Sequence, residues 1–160
     1  MPRIRCRYID CVYLEDESLT IEDPEFSRPI KFYGSPWQPE FCNWAFNTPR
    51  HEMYIHWEKI PSDTDILITH GGPEEILDIN NQGEVCGCAS LRHYVDNIKP
   101  LIHVFGHIHE GYGVLTRNGT TFVNASTCTR LNIPLNKPIV ISLKEVDGQF
   151  ITNIEDPWNY

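Results

Sequence analysis

The sequence predicts a mixed α/β domain, and three observations carry that reading. Two short apolar runs, TDILITH at residues 64–70 and LIHVFG at 101–106, each end at a glycine turn, as buried strands do. Between them GCASLRHYVDNIKP, residues 87–100, places Leu91, Tyr94, Val95 and Ile98 on one helical face before Pro100 stops it. Downstream, GVLTRNGTTFVNAS sets two β-rich arms around Asn118-Gly119, a pair that tolerates the positive φ angles of a tight hairpin. A chain of 160 residues that is 41% hydrophobic is long enough to bury a core as a single domain.

The remaining elements follow in order. CVYL at 11–14, LTIE at 19–22 and IKFYG at 30–34 read as short strands, separated by acidic turns and by Pro24 and Pro29. SPWQPEFCNWAFNTP, residues 35–49, holds three prolines and two tryptophans and is expected to be an ordered loop pinned by aromatic burial. RHEMYIHWEKI, residues 50–60, carries Met53, Tyr54, Trp57 and Ile60 at helical spacing. KPIVISLKEV at 137–146 is one more strand. Asn118-Gly-Thr and Asn124-Ala-Ser match glycosylation sequons, but with no secretory leader the turn reading is preferred.

Charge and composition narrow the function classes. A net charge of −9 opposes binding along a polyanion, which lysine and arginine drive through counterion release, so no nucleic-acid polymer is expected as partner. No apolar run reaches the roughly 20 residues of a membrane span. The opening MPRIRCRYID lacks the apolar core of a signal peptide, so a cytoplasmic protein with no membrane partner is the expectation. Six cysteines at irregular spacing then read as free thiols rather than a disulfide framework. The CGC at Cys86–Cys88 lacks the two-residue gap of a zinc knuckle.

His70 ends one predicted strand and opens Gly-Gly-Pro; His107 and His109 follow the other and open Glu-Gly-Tyr-Gly. Strand ends in α/β sheets are where functional side chains gather. Side chains two apart in extended chain share a side, so His107 and His109 can face one site, and neutral imidazole is a good ligand for zinc, iron, nickel and copper. The competing reading is packed or surface histidines. His103 fits a satisfied core residue or one facing solvent; His51, His56 and His93 fit packing or solvation; Glu110 fits an exposed carboxylate; Trp37 and Tyr112 fit core packing.

The blocks IKFYGSPWQPEFCNWAFNTPR, THGGP, LIHVFGHIHEGYGV, TTFVNASTCT and PIVISL together resemble, in order and spacing, the C-terminal half of a calcineurin-like metallophosphoesterase. The agreement is closest with the metallophosphoesterase-domain-containing branch and runs from about Cys11 to Leu143. The resemblance implies a two-sheet β-sandwich flanked by helices, of which residues 1–160 would form a single, N-terminally incomplete domain. It implies a dinuclear centre of divalent cations (Mn, Fe, Zn or Mg), with His70 and His107 on one ion and His109 on the other. The implied chemistry is hydrolysis of a small phosphate ester, cyclic nucleotides included, with cations roughly 3.5 to 4 Å apart activating water.

The same resemblance exposes a gap. The family's Asp-x-His, Gly-Asp-x-x-Asp and Gly-Asn-His-Glu blocks are absent from the 160 residues, and Asp10 in YIDCVY matches none of them. Without a bridging carboxylate, two close dications repel. Three expectations follow: part of a longer phosphodiesterase-type hydrolase, a short paralogue serving as a catalytically inactive binding module, or a mononuclear zinc hydrolase on three converging histidines.

Overall fold

A computed structural model describes residues 11–155. Cys6, one of the six cysteines, and Asp10 lie outside the described residues.

The architecture is a six-stranded mixed sheet with both helices on one face. Strand order is β1-β2-β5-β6-β8-β7. The four inner strands, β2 (Ile30–Ser35), β5 (Ile66–Thr69), β6 (Ile102–Phe105) and β8 (Thr120–Asn124), run parallel. Edge strands β1 (Glu17–Ile21) and β7 (Gly113–Arg117) are antiparallel to their neighbours. The crossovers from β2 to β5 and from β5 to β6 carry α1 (Tyr54–Trp57) and α2 (Ala89–Ile98), while β6 reaches β8 by way of β7.

Register explains the core. Tyr33, Leu67, His103 and Phe122 pair in a row across the four parallel strands. All four are essentially buried, against Met53, Trp57, Leu91 and Val95 from the helical layer. The next row, Phe32, Ile66, Ile102 and Thr121, faces the other way. There a ribbon of β9 (Val140–Val146) and β10 (Gln149–Glu155) lies against the sheet, with Thr121 and Thr152 hydroxyls 2.9 Å apart. Phe150 packs edge-on to Phe26 and lies under the Arg28 guanidinium, 4.6 Å away.

The α/β class is as predicted, but among the described residues the second layer is this two-stranded ribbon rather than a full second sheet. Ile68, on the ribbon's side, stays 41% exposed. Other elements also differ. CVYL is not a strand; Leu14 instead rests on Gly34, where an added Cβ would sit 2.5 Å from it. The helix expected over 50–60 is a 3-10 turn at Arg50–Glu52 followed by one α-turn, and it buries Met53, Trp57 and Ile60 but leaves Tyr54 outside. The prolines of residues 35–49 frame a two-residue bridge between β3 (Gln38–Pro39) and β4 (Asn47–Thr48). Strand β10 was not expected, although Asp147-Gly148 makes its turn with φ of 52° and 75°.

Candidate metal centre

Parallel pairing of β5 with β6 sets Ile68 opposite Val104, so the two strands finish side by side. The Gly106 N–H donates to the His70 carbonyl at 2.9 Å, joining the two exit turns. His107 follows in the left-handed region at φ 71°, a conformation that costs an L-residue with a Cβ roughly 1–2 kcal/mol. The Ile108 N–H closes onto the Gly106 carbonyl at 2.9 Å. Beneath, the buried Asn124 amide donates to the Ile108 carbonyl at 2.8 Å and the Leu77 carbonyl at 3.1 Å. Its oxygen accepts from the Ser126 N–H and hydroxyl, so all four of its polar positions are used.

The result brings His70 Nε2 to 3.2 Å from His107 Nδ1, with ring centroids 4.9 Å apart. Two nitrogens sharing a tetrahedral ion at bond lengths of about 2.0–2.1 Å stand about 3.3 Å apart, so the spacing fits two ligands of one cation. Burial, and then the neighbouring His70 and His109, lowers the His107 pKa to about 4. His70 remains open to solvent, yet partial desolvation lowers its pKa also. Both rings therefore present neutral nitrogen at pH 7, the form a metal requires.

His109, two residues beyond His107, opens a 3-10 turn (His109–Gly111). It lines a cavity of about 510 Å³ together with His107, Gly71, Gly72 and Arg130. Among the described residues no three His, Cys, Asp or Glu side chains gather at one point. The geometry brings His70 to His107, and no group of three forms that would support a single ion held by all three histidines. Glycine is required twice here. A Cβ on Gly111 would lie 1.9 Å from the Leu77 carbonyl oxygen, and one on Gly72 2.4 Å from the Phe105 ring.

The other histidines take structural places. His103 is fully buried, with Nε2 2.9 Å from the Thr69 hydroxyl. His56 is buried and stacks on Trp37 at 4.0 Å, with Nε2 2.9 Å from the Thr48 hydroxyl. His51 is exposed, and His93 lies on the outer face of α2 near Asn97. Cys11, Cys42, Cys86, Cys88 and Cys128 are free thiols, as expected. Cys88 caps α2: its sulfur accepts from the Leu91 N–H and the Trp57 indole. Glu110 is exposed, and the Tyr112 hydroxyl donates to the Lys137 carbonyl. Sequence reasoning missed Arg130, which reaches the cavity from a segment without regular structure, and Asn124, read only as part of a sequon. Among the described residues no helix is long and apolar enough to cross a membrane.

No family model matches the chain. Among curated proteins it is similar to metallophosphoesterase domain-containing protein 1 of Homo sapiens, 47% identical over 137 residues, covering 84% of this chain and 40% of that protein. The Mus musculus protein of the same name gives the same figures. A UPF0046 protein of Caenorhabditis elegans is 39% identical over 137 residues, covering 84% of this chain and 33% of that protein. The chain thus spans about 40% of the length of its human relative. On the strength of these relatives, the chain belongs to the metallophosphoesterase-domain-containing branch of the metallophosphoesterases.

Proposed function

We propose that these residues form one half of a metal-dependent phosphoester hydrolase site. His70 and His107 share one divalent cation. His109 serves a second, whose bridging and remaining ligands come from polypeptide outside these 160 residues. The observation that carries this reading is the 3.2 Å approach of His70 Nε2 to His107 Nδ1.

When bound, a divalent cation at this pair supplies activation of water and electrostatic stabilisation of phosphoryl oxygens. The chain's own residues provide the rest. The two imidazoles are held neutral and oriented by the sheet. Glycines 71 and 72 keep one wall of the cavity free of side chains, so a phosphoryl group can approach. Arg130 adds a positive charge at the rim of an otherwise acidic chain, which favours a small phosphate ester over a polymer.

The test is metal content after equilibrium dialysis against Mn2+ or Zn2+, with turnover of a bis-aryl phosphate measured on the same samples. His70→Ala and His107→Ala are each expected to abolish retention of the cation while the fold persists. Equal metal content in wild type and both variants refutes the assignment. Turnover that survives both substitutions refutes it equally.

A further inference from the structure

The segment from Trp37 to Phe46, around β3 and the loop to β4, treats its aromatic residues in two opposite ways. Trp37 and Phe46 turn inward, edge to face at 5.5 Å, and Trp37 stacks on His56. Phe41 and Trp44 turn outward and remain 48% and 58% exposed. Both line the 510 Å³ cavity that holds His107, and their ring centroids lie 5.3 and 6.1 Å from the His107 ring. The two rings meet each other edge to face at 5.2 Å.

The outward position is built. Asn47 Nδ2 donates to the Phe41 and Cys42 carbonyls at 3.1 and 3.2 Å, and its oxygen accepts from the buried Gln38 amide at 3.0 Å. Cys42 and Phe46 are both held in the left-handed region, at φ 51° and 57°. A loop serving only to cover the sheet gains nothing from fixing two large apolar rings in water, since their burial is the favourable direction. Rings fixed in advance beside a cavity bind a flat partner with little ordering cost.

We propose that Phe41 and Trp44 form a stacking subsite for a flat aromatic ring carried by the phosphoester, with the phosphoryl end toward His107 and Arg130. The orientation of the phosphoryl end rests on the hydrolase reading above; the stacking of the ring does not. Specificity then comes from the ester's organic group: an aromatic ester gains the stacking contact, and an alkyl ester of equal size forgoes it.

The test is calorimetric binding, in the presence of Mn2+, of 2-naphthyl phosphate, n-hexyl phosphate, inorganic phosphate and 2-naphthol. The proteins are wild type, Trp44→Ala, Phe41→Ala and Trp44→Phe. Both side chains are half-exposed, so the variants keep the fold, which an unchanged thermal midpoint verifies. Trp44→Ala should weaken 2-naphthyl phosphate by about tenfold or more, within the range found when a base-stacking ring is removed. Phe41→Ala should weaken it by a smaller factor, Trp44→Phe should restore most of the affinity, and n-hexyl phosphate should be unaffected throughout.

Equal binding of 2-naphthyl phosphate by wild type and Trp44→Ala overturns the subsite. So does binding of n-hexyl and inorganic phosphate with no advantage for the naphthyl ester, an outcome that leaves the hydrolase reading standing. Trp44-dependent binding of 2-naphthol, with no phosphate bound at all, supports the ring subsite and removes the hydrolase reading instead.

Discussion

His103 makes the stability of this chain depend on pH, and the structure supplies both sign and size. The Thr69 hydroxyl donates its proton to the Gly71 carbonyl at 2.7 Å. At its 2.9 Å contact with His103 Nε2 it therefore accepts, which fixes the neutral ring with its proton on Nε2. Nδ1 is then a bare, buried nitrogen without a partner, in a ring packed beside Phe105 and Phe122 at centroid distances of 5.1 and 5.8 Å. A proton added there would bury a charge with no acceptor, and burial lowers the pKa from 6.5 to about 3. The unfolded chain takes up this proton below pH 6.5 and the folded chain does not, so stability falls as pH falls through that window. At pH 5 the loss is about 2 kcal/mol, from roughly 1.36 kcal/mol per pH unit. His103→Gln keeps an N–H for Thr69 and cannot titrate. Urea denaturation of both proteins at pH 7.5 and pH 5 should show the wild type losing about 2 kcal/mol more than the variant. Parallel losses in the two would refute the reasoning, because the remaining histidines titrate alike in both.

Two further substitutions probe the support beneath the histidine turn. Asn124→Ala strands the Leu77 carbonyl and the Ser126 N–H, while the Ile108 carbonyl keeps the Gly111 N–H, and should cost roughly 2–4 kcal/mol in urea denaturation, at about 1–3 kcal/mol for each buried group left unpaired. Hydrogen exchange should quicken over residues 106–111 before it does in β5, and uniform quickening would count against a local brace. Gly111→Ala drives a methyl into the Leu77 carbonyl, so a loss of about 1–3 kcal/mol is expected. An unchanged denaturation midpoint would show that the turn relaxes without resistance.

What the sequence disclosed depended on how local each cause was. The runs 64–70 and 101–106, helix α2 and the Asn118-Gly119 hairpin are written in contiguous residues, and the structure carries all of them. The same signal was present at Asp147-Gly148, where two alternating segments flank a turn pair, and there the second arm went unread. Aromatic burial in the 35–49 loop was half right. Which rings go in depends on His56 and on Asn47's reach back to Phe41, contacts that composition does not encode. Pairing of β5 with β6 is likewise nonlocal. Glycine turns after both strands suggested a shared site, but only the register sets Gly106 against the His70 carbonyl and brings His70 beside His107.

The left-handed backbone of His107 offers a test of whether this turn is held for its imidazole. At φ 71° a residue with a Cβ is strained, and glycine is not. The hydrogen bonds from Gly106, Ile108 and Asn124 hold the turn irrespective of the side chain at 107. His107→Gly and His107→Ala both delete the ring and lose the same contacts with His70, Phe41 and Trp44, so their difference reports the backbone alone. Glycine gains the roughly 1–2 kcal/mol of relieved strain and gives back about 0.5–1 kcal/mol in unfolded-chain entropy. His107→Gly should therefore be more stable than His107→Ala in urea denaturation, by about 0.75 kcal/mol at the middle of a range of roughly 0–1.5 kcal/mol. Equal or greater stability of the alanine variant would mean that the turn relaxes once the ring is gone, and that the imidazole is not being held against its own backbone preference. A glycine advantage would mean that the fold gives up stability to keep a histidine where glycine is preferred, as expected of a residue retained for what its ring binds.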